Sequence, residues 1–182
     1  LTQTLAWQRY ELAVLAGEDR LAAYLERTLS EDQRTLARQL TRLRQRPTRT
    51  DRYETVDFND PEQQALADSA LKMLIKKRPA EALHLIADLK DSGRLAPGQA
   101  LEYDYAAALR LIREDNLTVN DALIPAALRT NPDLIEASLI QLIKAGRFNA
   151  LSTPLSQLPA SAQGTLRWQY WQARAELSSQ DL

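Results

Sequence analysis

Cysteine is absent from all 182 residues. That excludes disulfides, thiolate nucleophiles and cysteine-based metal sites, and it leaves the cellular compartment open. Glycine is scarce, at five residues, and no glycine-rich phosphate loop can be assembled from them. Histidine occurs once, as His84 in "EALHLIADL", with Leu83, Ile86 and Ala87 around it at helical spacing. One histidine makes no catalytic or metal constellation, so His84 reads as a packing or surface residue. Charge of either sign is not in excess. The formal net charge is -1, which gives no global field toward nucleic acid or an anionic membrane. No apolar run approaches the ~20 residues that span a bilayer, and the opening residues do not read as a signal peptide. The chain is already helical in pattern at Leu1 and reads as part of a longer protein.

Ala, Leu, Arg, Gln and Glu dominate, and all are good helix formers. Apolar residues recur at three and four nearly everywhere, with no strict alternation. The spacing predicts helices over 5–16, closed by Gly17, and over 19–29. "SEDQ" (Ser30–Gln33) is an N-terminal helix signal for a helix reaching about Arg46, which Pro47 stops. Residues 48–60, "TRTDRYETVDFND", have no clean period and read as an irregular connection. Asp60 and Pro61 open a helix to about Lys77, and Pro79 opens another toward Gly93. Further helices are expected over 98–114, 119–128, 132–146, 148–158 and 160–178. The expected fold class is all-α, with about ten or eleven helices and no strand. Short connections make neighbours antiparallel.

Two hairpins align without a gap. "LAWQRYELAVLAGEDRLAAYLERTL" (Leu5–Leu29) matches "LIEASLIQLIKAGRFNALSTPLSQL" (Leu134–Leu158), and Ala16-Gly17 falls on Ala145-Gly146. Tyr10, Ala13 and Val14 fall on Leu139, Leu142 and Ile143, all at core spacing. This structural repetition points to a right-handed α-α superhelix, a solenoid of helix hairpins, forming one domain over 1–182.

No residue qualifies as catalytic, cofactor-binding or metal-ligating, and no cofactor is expected. Acid pairs such as Glu11 with Asp19, or Asp133 with Glu136, read as helix-end and solvent-face charges. Arg34, Arg38 and Arg42 share a helix face, followed by Arg44, Arg46, Arg49 and Arg52, while Leu36, Leu40 and Leu43 take another face. A nucleic-acid groove would need interleaved aromatics or a basic domain. The cluster therefore reads as a solvated face, and no nucleic-acid partner is expected.

The densest aromatic stretch is "LRWQYWQARAEL" (Leu166–Leu177), with Trp168, Tyr170 and Trp171. Its spacing, with Ala173 and Leu177, describes a helix apolar most of the way round that is buried on both sides. A sugar face stacked on an exposed Trp is the competing reading. The wider stretch carries Leu155, Leu158 and Pro159, a spacer to Gly164, then Trp168, Tyr170, Trp171 and Ala173. It resembles the superhelical region of large soluble lytic transglycosylases, periplasmic enzymes that cleave peptidoglycan. The opening "WQRYELAVLAGEDRLAAYLERTL" (Trp7–Leu29) is similar to an earlier hairpin of that region.

The resemblance implies a non-catalytic scaffold region in the periplasm, whose partners are its own C-terminal catalytic domain and peptidoglycan strands. The reaction of that family cleaves between N-acetylmuramic acid and N-acetylglucosamine with a 1,6-anhydro product. It needs a catalytic Glu-Ser, with Gly-Leu-Met-Gln and Ala-Tyr-Asn signatures, and none occurs in this sequence. Glu136 is followed by Ala137, so no catalytic residue is carried over. An independent tetratricopeptide-like module that binds a protein or peptide is the alternative. Oligomeric state is not legible.

Overall fold

The computed structural model describes residues 2–115 and 117–180. Among them there are ten α-helices and no strand, and a helix content of 74% places the chain in the all-α class. The helices are α1 (Gln3–Ala16), α2 (Asp19–Glu26), α3 (Glu31–Gln45), α4 (Pro61–Lys77), α5 (Pro79–Asp91), α6 (Pro97–Glu114), α7 (Pro132–Lys144), α8 (Ser152–Gln157), α9 (Ala160–Gln163) and α10 (Leu166–Gln180). The chain forms two compact units, Leu1–Ala100 and Leu101–Leu182, and the divide falls inside α6.

In the first unit α1 packs on α2, α3 on α4, and α4 on α5. Gly17 ends α1 in the left-handed conformation, with φ 80. Its N–H reaches the Val14 carbonyl at 3.1 Å and the Glu18 N–H reaches Ala13 at 2.9 Å. This is the paired bonding that closes a helix on a left-handed residue. Ser30 caps α3 with a capping box, as the "SEDQ" signal predicts: its hydroxyl accepts from Gln33 N–H, and the Gln33 side chain accepts from Ser30 N–H. The core gathers Tyr10, Ala37, Leu40, Leu43, Leu66, Leu71, Leu85 and Ile86. Tyr10 is the one polar-tipped member of that group, and its hydroxyl donates to the Ala37 carbonyl at 3.1 Å and lies 3.2 Å from Thr41 Oγ1. Burial pushes the Tyr10 hydroxyl pKa up, and the Thr41 bond opposes the shift.

Residues 46–60 hold only a 3₁₀ turn, Thr50–Arg52, yet they are pinned. Tyr53 is fully buried and donates its hydroxyl to the Pro47 carbonyl at 3.3 Å, and Arg94 donates to the Glu54 carbonyl at 3.1 Å. Burial raises the Tyr53 pKa and keeps the phenol protonated.

In the second unit α7 packs on α8, and α10 lies over the Phe148–Ala150 turn, α8 and α9. Its core includes Leu111, Ile112, Val119, Ile124, Leu134, Ile135, Leu139, Leu151 and Trp168. The helix expected over 119–128 is not formed. Only Ala126–Leu128 is helical, as a 3₁₀ turn. A local turn and a proline break it, and a long-range bond anchors its start. Val119 N–H donates to Ser138 Oγ at 2.8 Å, and that fully buried hydroxyl donates in turn to the Leu134 carbonyl at 2.9 Å. Asp121 then folds back to accept from Leu123 N–H, and Pro125 has no N–H to extend a helix. The helix expected over 160–178 is interrupted at Gly164-Thr165, where Thr165 Oγ1 donates to the Ala162 carbonyl at 2.8 Å. Glycine's low helix propensity and this local side-chain bond favour the break.

Candidate functional site

Helix α10 carries the aromatic stretch, and its faces differ. Trp168 is 5% exposed and Ala175 1%, whereas Tyr170 is 63% and Leu177 57% exposed. Trp171 is half-buried and stacks on Phe148, with ring centroids 5.8 Å apart and planes at 18°. Tyr170 meets Trp171 edge-on at 5.1 Å. Arg174 lies over Phe148 at 5.2 Å, and Arg167 over Trp168 at 4.4 Å. Burial on both sides, expected from the sequence, is thus found on one side among the described residues. Ala173, expected to fill the buried face, is exposed. Trp168 is a core residue, and of the α10 aromatics only Tyr170 presents its ring largely to solvent.

Arg167 also ties α10 to α7, through an ion pair with Glu136 at 2.8 Å. Glu136 stands on the edge of a groove of about 610 Å³ between α6 and α7. Tyr105, Leu109, Ala137 and Ile140 line it, with Arg113, Asp133, Gln141 and Lys144. On α6 the lining positions 105, 109 and 113 recur at four, and on α7 positions 133, 137, 140, 141 and 144 follow the same period, so each helix turns one face to the groove. Those two stripes are visible in the sequence, but nothing in the sequence says that they face each other across a gap.

The remaining sequence candidates disperse. Arg34 donates to the carbonyls of Leu29 and Arg27 beyond α2, Arg44 pairs with Asp19, and Arg49 forms a two-pronged pair with Asp51 at 2.8 and 2.9 Å. Arg38, Arg42 and Arg46 point to solvent. Apart from half-buried Arg52, the arginine run is therefore a helix-end brace plus solvated charges, and it converges on no single groove. Arg49 beside Asp51 holds that carboxyl below its usual range. His84 is exposed on α5. Glu11 accepts from Ser69 Oγ at 2.7 Å and so serves packing between α1 and α4. Asp133 sits in the first turn of α7, exposed, as a helix-end charge. Among the described residues no group of three or more His, Cys, Asp or Glu side chains could hold a metal ion, and no helix is long and apolar enough to cross a membrane.

No protein-family model and no curated protein matches the chain. Among solved structures, the whole chain is similar to part of an inactive mutant of the lytic transglycosylase Slt from Pseudomonas aeruginosa, with a TM-score of 0.59 and 22% sequence identity. The match covers 100% of this chain and 30% of that one, so this chain spans about a third of the length of the protein it resembles. At that identity the likeness establishes the fold, a helical region of the same kind.

Proposed function

We propose that this chain is a non-catalytic, superhelical scaffold segment of a periplasmic lytic transglycosylase that cleaves peptidoglycan. The carrying observation is the fold match over the chain's full length to under a third of a lytic transglycosylase. The "Leu-x-x-Leu-Pro" turn and the Trp168–Ala173 helix support it independently, because they follow the pattern of that family's superhelical region. In this reading the chain positions a separate catalytic domain on glycan strands. The bond between N-acetylmuramic acid and N-acetylglucosamine is cleaved in that other domain.

The test begins with the complete reading frame, which should encode a Glu-Ser block followed by Gly-Leu-Met-Gln. The full-length protein and this chain are then incubated separately with purified sacculi, and 1,6-anhydro muropeptides are measured. The full-length protein should release them and the chain should not. Release by this chain at a comparable rate would remove the scaffold role. A reading frame without that block would favour the second reading, an independent helical-repeat module for protein or peptide binding, which the α6–α7 groove supports.

A further inference from the structure

The cavities of the described residues differ in what their charges are doing. In the cavity beneath α2, Asp19 is held by Arg44. In the slot beside Trp7, Glu11 is engaged by Ser69. The cleft at Ala23 leaves Glu26 and Arg27 unpaired among the described residues, one charge of each sign, whereas the groove between α6 and α7 leaves an excess of cations. Arg113, Asp133 and Lys144 line it and form no ion pair or side-chain hydrogen bond among the described residues, while Glu136 is neutralised by Arg167. Two unpaired cations therefore stand against one unpaired carboxylate, around partly exposed Leu109 and Ile140.

We propose that this groove binds a short, extended acidic peptide, with its carboxylates on Arg113 and Lys144 and an apolar side chain on Leu109 and Ile140. The dimensions agree. From Asp133 to Lys144 α7 rises ~16 Å at ~1.5 Å per residue, and about five residues of extended chain span the same length at ~3.3 Å each. The charge balance selects the sign of the ligand, since charges on an interface rim set specificity and salt dependence. An uncharged glycan would leave both cations without partners. The inference does not rest on the transglycosylase reading, because it uses only this groove's own residues.

The probe is a fluorescein-labelled acetyl-Asp-Leu-Asp-Leu-Asp peptide, titrated with the full chain and read by fluorescence anisotropy, beside the charge-reversed Lys-Leu-Lys-Leu-Lys peptide. The acidic peptide should bind more tightly, and more weakly as salt rises. Arg113→Glu combined with Lys144→Glu should weaken it by about tenfold or more, with the helical circular dichroism unchanged because both side chains are exposed. Asp133→Asn should tighten it by roughly two- to threefold by removing a like charge. Arg38→Glu with Arg42→Glu, the same charge change on exposed α3, should leave it unaltered. Equal binding of the two peptides overturns the proposal. So does a double variant that binds like the parent, an equal loss in the α3 control, or displacement of the peptide by an uncharged N-acetylglucosamine tetramer.

Discussion

The hairpins at 5–29 and 134–158 share their turn down to its hydrogen bonds and differ in their return arms. Gly17 and Gly146 are both left-handed, with φ 80 and 68. Gly146 N–H reaches Ile143 at 3.0 Å and Arg147 N–H reaches Leu142 at 2.9 Å, the same pairing as Gly17 to Val14 and Glu18 to Ala13. A third copy closes α5, where Gly93 reaches Lys90 and Arg94 reaches Leu89. Beyond the turn, the first hairpin continues as α2 over eight residues, with Ala22 and Leu29 buried and Leu21 and Tyr24 exposed. The second breaks into a 3₁₀ turn and the six-residue α8, with Leu151, Leu155 and Leu158 buried. The turn is decided by a handful of adjacent residues. The return arm is decided by what packs on it, and in the second hairpin that is α10.

The largest effect should come from removing that cover. Trp168→Ala deletes a buried indole from α10 and should cost about 3–5 kcal/mol. Tyr24→Ala, on the exposed side of the first hairpin's return arm, should stay within about 0.5 kcal/mol. Chemical denaturation of both variants beside the parent compares them directly. Equal losses would mean that the two return arms are covered alike, and the contrast would fail.

The shared turn should respond alike at both places. A Cβ at Gly17 or Gly146 would meet nothing within 4 Å, so sterics with neighbours add nothing. What remains is the left-handed backbone, which costs an L-residue roughly 1–2 kcal/mol. Gly17→Ala and Gly146→Ala should each lose about that much, by calorimetry on single variants. A marked inequality between them would show that the turns are alike in bonding but not in strain.

This division between local and distant causes also explains what the sequence can convey. The glycine turns, the Ser30 capping box and the Pro61 and Pro79 helix starts are legible because each depends on residues within four positions. The 119–128 stretch reads as a helix by its apolar spacing and is not one: Pro125 has no N–H to donate, a local signal that the spacing overrides, while the Val119 bond to Ser138, nineteen residues away, fixes where the segment packs. On α10 the aromatic residues read as buried on both sides, but periodicity identifies an apolar face without saying whether a neighbour covers it. Tyr170 and Leu177 are the uncovered part. The α6–α7 groove is illegible for the same reason: its two stripes are periodic, while their juxtaposition is tertiary. Arg113, Asp133 and Lys144 can be found only by asking which charges lack partners.

The start of each hairpin gives the smallest and most local comparison. Asn131 caps α7, its side-chain oxygen accepting from Asp133 N–H at 3.0 Å and Leu134 N–H at 3.2 Å. Thr2 occupies the equivalent place before α1 in an extended conformation, but its side chain makes no cap bond. The first N–H groups of a helix have no partner inside the helix, so a cap is worth about 1 kcal/mol when its bond forms. Asn131→Ala should therefore lose about 1 kcal/mol, reinforced because Pro132 already fixes the first helical residue and leaves the Asn131 oxygen free to serve the next two donors. Thr2→Ala has no such bond to lose and should change stability by only a few tenths of a kcal/mol, roughly. Amide hydrogen exchange gives the local readout, since Asp133 and Leu134 should lose protection in Asn131→Ala before the rest of α7 does. If Thr2→Ala proves as costly as Asn131→Ala, the cap is not what distinguishes the two hairpin starts. Pro132 would then be the remaining local difference, with Pro132→Ala as the variant that isolates it.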